Sequence, residues 1–125
     1  MTKKDKLTIH WLNKPQEHDY PAAASYLSLI YDEKTSNDLV AKLKKATLVE
    51  FKAKDIFRAS NLSLLGVSNL HVRRDTKKIK SGELISPLLL VRDQSNGKLN
   101  IADGYHRLCA VYRVDEDALI PCKIV

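Results

Sequence analysis

The 125 residues carry 44% hydrophobic and 29% charged side chains, the balance of a folded globular domain rather than of a disordered, collagenous or disulfide-stapled chain. The longest apolar run, Pro87 to Val91, is far short of the ~20 residues that span a bilayer, and the basic start Met1 to Lys6 leads into no signal-peptide stretch. A soluble, cytoplasmic, single-domain protein with no membrane partner is expected. Lys and Arg outnumber Asp and Glu by 21 to 15, a net charge of +6 that favours anionic partners such as nucleotides or nucleic acid. Cys109 and Cys122 form no CxxC or Cys/His quartet and sit in apolar segments, so both are read as reduced core residues.

Leu7 to Leu12 alternates like a short strand, and a polar turn follows from Asn13 to Asp19. Pro21 opens a helix, since its missing N–H costs nothing in a first turn, and Leu27, Ile30 and Tyr31 give that helix its apolar face. Thr35 or Ser36 is placed to cap a second helix bearing Leu39, Val40, Leu43 and Ala46. Thr47 to Phe51 reads as a strand, Lys54 to Ser60 as a short helical turn, and Asn61 to Asn69 as irregular. A polar helix runs from His71 and stops at Gly82, a good left-handed terminator. Pro87 to Arg92 signals a buried strand, Asn96-Gly97 a tight turn with positive φ angles, and Lys98 to Ala102 the returning strand. Tyr105 to Arg113 then forms a helix and Leu119 to Val125 a closing strand. Helices and strands alternate without a regular βαβ rhythm, which predicts an α+β (mixed α/β) domain.

The strand–Asp103-Gly104–helix junction carries the chemistry. The first amides of a helix lack intrahelical acceptors and attract anions, and Gly104 permits close backbone approach. Arg107 offers a guanidinium to phosphate oxygens, and His106 a donor or proton carrier near neutral pH. Asp103 repels a bare phosphate, so it is assigned to capping the helix, to pairing with Arg107, or to holding a magnesium ion. On spacing alone, an N-cap, a sharp turn and a surface cation explain the same residues. His71-Val72-Arg73-Arg74-Asp75 suits either a pocket wall or a solvated helix start, and Lys54, Asp55 and Arg58 form a second, weaker cluster.

Gly82-Glu83-Leu84-Ile85-Ser86-Pro87-Leu88-Leu89-Leu90-Val91-Arg92, a hairpin, and then Ile101-Ala102-Asp103-Gly104-Tyr105-His106-Arg107-Leu108-Cys109-Ala110 resemble the ParB/sulfiredoxin domain family. Its pattern is a glycine, a spacer, Pro-(apolar)-Val, a hairpin and a strand ending in Gly-x-(His/Arg)-Arg before a helix. Ile120-Pro121-Cys122-Lys123-Ile124-Val125 resembles its terminal strand, so the likeness spans residues 49–125, and residues 1–48 form a helical extension. The resemblance implies a small mixed sheet with flanking helices that handles CTP, ATP or ADP with Mg²⁺. It places Gly82, Ser86, Gly104, Tyr105, His106 and Arg107 at the nucleotide, with Asp103 and His106 as catalytic candidates and Asp103 as the metal ligand.

Tyr105 stands where sulfiredoxins carry their redox cysteine, so sulfinic-acid repair is not expected. The helix-turn-helix region of ParB partition proteins has no counterpart up to Val125, so centromere binding is not expected either. The expectation is a nucleotide-binding protein acting as an NTPase or small-molecule phosphotransferase, with a homodimer compatible. The alternative is a non-catalytic nucleic-acid- or protein-binding module on the same fold. Residues 1–48 are read as a lid, a dimer interface or a cover for one sheet face.

Overall fold

A computed structural model describes residues 7–125; the basic start Met1 to Lys6 lies outside them. In chain order the elements are α1 (Asp19–Leu27), α2 (Glu33–Lys45), β1 (Val49–Lys52), α3 (Ala53–Ser60), α4 (Leu70–Lys80), β2 (Leu88–Asp93), β3 (Lys98–Asp103), α5 (Tyr105–Val114) and β4 (Leu119–Ile124). The sheet order is β1-β4-β2-β3. β4 pairs antiparallel with β1 and parallel with β2, and β2 pairs antiparallel with β3. The fold is therefore α+β with a mixed sheet. Among the described residues no helix is long and apolar enough to cross a membrane.

β2 explains the architecture. Leu88, Leu89, Leu90 and Val91 are all buried, and successive strand residues point to opposite faces, so both faces of the sheet must be covered. Leu88 and Leu90 join Ile101, Ile120 and Cys122 under α3, α4 and α5, with Leu108 and Val111 of α5 fully buried there. Leu89, Val91 and Ala102 face the other way and pack against Tyr20, Ala23 and Leu27 of α1 and Leu43 of α2. Of the three roles open to residues 1–48, the structure gives α1 and α2 the cover of one sheet face, while Ile9 and Trp11 pack against the core on the other.

Several local expectations are corrected. The strand expected at Leu7 to Leu12 is a single parallel bridge between Trp11 and Ile85, closed by Leu12 N–H to Ile85 O (2.9 Å) and Ile85 N–H to His10 O (2.9 Å). α2 is capped by Asp32, whose carboxylate accepts from Thr35 N–H at 2.7 Å, rather than by Thr35 or Ser36. The aspartate has the extended backbone a cap needs, and Ser36 lies inside the helix. α1 begins at Asp19, two residues before Pro21, and ends at Leu27, so Ile30 falls outside it and is exposed. The β2–β3 connection is a 3₁₀ turn over Gln94–Asn96 in which only Gly97 takes positive φ (62°). Asp93 draws the turn in by accepting from the backbone and side-chain amides of Asn96 at 3.3 and 2.8 Å. The remaining boundaries agree with expectation to within a few residues, Gly82 at φ 78° beyond α4 included.

Because Leu27 seals a sheet face rather than an appendage, Leu27→Ala is expected to cost about 2–5 kcal/mol. Urea unfolding followed by circular dichroism and by Trp11 fluorescence should show one coincident transition shifted to lower denaturant, not separate loss of the N-terminal helices.

Candidate functional site

β3 ends at Asp103 and α5 begins at Tyr105, so the chain turns from strand to helix on Gly104 alone, at φ 109°. A Cβ there would lie 2.8 Å from Leu88 Cγ and 3.0 Å from Arg107 Nη2. Only glycine tolerates both the backbone angle and the contact. Having no side chain, Gly104 also leaves the first-turn amides of α5 without a side-chain cap.

Beneath this turn is a buried polar cluster. Arg107 Nη2 donates to Asp103 Oδ2 at 2.9 Å and to Pro87 O at 3.3 Å, while its Nε is buried without a partner. Both side chains of the pair are 17% exposed. Burial raises the Asp103 carboxyl above its ordinary range, Arg107 opposes that shift, and the neighbouring Asp19 carboxyl adds to it. Asp19 is itself buried at the start of α1; it accepts from Ser86 Oγ and from Gln16 N–H at 3.1 Å. The expected polar turn ending at Asp19 thus contributes a buried carboxyl group to the site.

Above the turn is a cleft of ≈ 200 Å³ between the start of α5 and one face of α4. α4 is nucleated by Asn69, whose side chain accepts from the amides of His71 and Val72. Val72, Thr76 and Ile79 turn to the core, so helical spacing carries His71, Arg74, Asp75 and Lys78 to the cleft, where they meet Gly104, Tyr105, His106 and Arg107. The His71 and His106 rings are 4.8 Å apart, and the Tyr105 ring is 5.5 Å from that of His106. Burial and then His71 hold the His106 imidazole below its ordinary value, and Asp75 pulls the other way. Burial raises the Asp75 carboxyl against the pull of Arg107, Lys78 and both histidines. Arg74 and Lys78 form no ion pair among the described residues, so the cleft keeps a positive excess.

Of the residues expected at the site, the structure brings Gly104, Tyr105, His106 and Arg107 together at the cleft. Gly82 terminates α4, Ser86 is buried against Asp19, and neither lines the cleft. Asp103 lies below it as the partner of Arg107. The Asp75 carboxylate is the one that faces the cleft, and among the described residues no three His, Cys, Asp or Glu side chains are placed to hold a metal ion together. Lys78 escaped sequence reasoning although its spacing from Arg74 and His71 is helical. Lys54, Asp55 and Arg58 stay on α3, engaged in the ion pairs Lys54–Asp117 (2.6 Å) and Arg58–Asp55 (3.6 Å). Cys109 and Cys122 are free thiols in the core, and burial pushes Cys122 up to about 12.

Comparison of the chain with protein-family models, with curated proteins and with solved structures gives no match.

An NMR titration of the His106 ring protons should give a midpoint below the ~6.5 of a free imidazole. Asp75→Asn should lower that midpoint further, because it removes the one neighbour that favours imidazolium. A midpoint that rises in the variant would contradict the geometry of the cleft.

Proposed function

We propose that the α4–α5 cleft binds the phosphates of a nucleotide, in a domain of ParB/sulfiredoxin type that hydrolyses the nucleotide or passes a phosphoryl group to a small acceptor. The observation that carries this reading is the convergence of Arg74 and Lys78, neither in an ion pair among the described residues, on the uncapped start of α5 beside His71 and His106. Unpaired cations facing helix-end amides favour an anion with several oxygens. At ≈ 200 Å³ the cleft suits phosphoryl groups, with the nucleoside lying outside it.

In this reading Arg74 and Lys78 neutralise the phosphates, the α5 amides orient them, and Asp103 holds the Arg107 guanidinium in place from below. Phosphoryl transfer depends mainly on such positioning and charge neutralisation. A magnesium ion bound with the phosphates would offset more of their charge. Asp75, which faces the cleft, fits it better than Asp103, whose Oδ2 is engaged by Arg107. His106, held toward its neutral form, is the group suited to accept the proton of an attacking hydroxyl.

A second reading rests on the solvent side of α4, where Arg73, Lys77 and Lys80 are exposed beyond the cleft. Such a stripe suits a nucleic-acid backbone. The two readings separate by salt: backbone binding weakens steeply as salt rises, in proportion to the phosphates contacted.

Thermal-shift measurements with CTP, ATP, ADP and GTP in magnesium should show stabilisation by at least one, about 2.7 kcal/mol at 100 times its dissociation constant. Arg74→Ala/Lys78→Ala, at positions off the core, should lose that stabilisation while the free protein melts as wild type. Affinity should rise as pH falls through the His106 midpoint, since imidazolium adds positive charge, and His106→Asn should flatten that rise. No stabilisation by any nucleotide at millimolar concentration would refute the nucleotide reading.

A further inference from the structure

A second and larger concavity, of ≈ 440 Å³, opens at the hairpin end of β2 and β3, the end remote from Gly104. Phe51 of β1, Leu99 of β3 and Ile124 of β4 line it, with Ile56 of α3 on its wall. The small, exposed Ala59 of α3 also lines it. Phe51 is 39% exposed, a large aromatic ring left without cover.

Arg92 is the feature out of place. It is paired with Leu99 across β2 and β3, so it shares the face on which Leu88 and Leu90 are buried. In the row Leu88, Leu90, Arg92 it takes the position of a third core residue, yet it is exposed and makes no ion pair among the described residues. Lys98, also on the rim, likewise has none. The two acids of the rim have nearer partners than Arg92, and Lys98 favours the charge on Asp93. Asp93 accepts from Asn96 and from Ser95 Oγ at 3.1 Å, and Asp55 faces Arg58 at 3.6 Å. The groove therefore joins an apolar floor to a guanidinium that forms no ion pair among the described residues.

We propose that this groove is a binding site for a small amphiphilic carboxylate, its apolar body on Phe51, Ile56, Leu99 and Ile124 and its carboxylate on Arg92. The volume lies in the range of small-molecule pockets. A planar guanidinium meets a carboxylate with two parallel hydrogen bonds, which sets the head group, and the unbroken apolar floor sets the tail. This site is separate from the α4–α5 cleft and does not depend on the function proposed for it.

The test is a ¹H–¹⁵N NMR titration of the full chain with octanoate, octylammonium and acetate. Octanoate should shift amides of β1, α3 and the β2–β3 hairpin, and bind at least tenfold more tightly than octylammonium, which lacks the anion, or acetate, which lacks the tail. Arg92→Gln should weaken octanoate at least tenfold, and Ala59→Phe, at an exposed helix position, should block the groove; both should melt as wild type. Equal binding of octanoate and octylammonium, unchanged affinity in Arg92→Gln, or shifts confined to other parts of the molecule would each overturn the proposal.

Discussion

Two-sided burial of β2 is the constraint on which the molecule depends. A strand apolar on both faces cannot rest on one helical layer, because half of its side chains would stay in water. Three helices cover one face and α1 and α2 the other. The N-terminal residues are thus part of the fold's core. Lys123 of β4 makes the same connection in polar terms, reaching across to donate to Lys44 O at the end of α2 (2.9 Å).

The same layering brings charge inside. Asp19 enters with α1 and ends within reach of Ser86 and Asp103, so two carboxyls share the neighbourhood of one guanidinium. A buried pair of this kind returns little net stability, since desolvation offsets most of the attraction, but it fixes geometry. Arg107 is held by Asp103 and Pro87 O, which leaves much of its charge compensated. The free positive charge of the cleft comes instead from α4, through Arg74 and Lys78. The partition is physical: Arg107 and Asp103 at the turn are paired with each other, while Arg74 and Lys78 across the cleft form no ion pair among the described residues.

Much of this was readable residue by residue. The glycines at 82, 97 and 104 marked real positive-φ turns; the run Pro87 to Val91 marked the central strand; and the Gly104-to-Arg107 string marked one wall of the cleft. Caps were harder, because Asp32, Thr35 and Ser36 are all competent and the choice depends on which one takes extended backbone. The Asn96-Gly97 turn was mistaken in type because Asp93, three residues before, competes for the Asn96 amide. Ser86 looked like a pocket residue by its place in the chain, yet its hydroxyl is turned to Asp19, 67 residues away.

Most of the elements and the α5 turn could be read from the residues alone. Their causes are local: period-2 and period-3.6 burial, missing amide hydrogens, and the steric freedom of glycine. Tertiary structure alone decided that α4 would form the second wall, that Asp19 would lie beneath the site, and that Arg92 would stand on an apolar face with no ion pair among the described residues. Each depends on which surfaces meet once helices dock on a two-sided sheet. That contact is made between residues tens of positions apart, and no spacing within either segment encodes it.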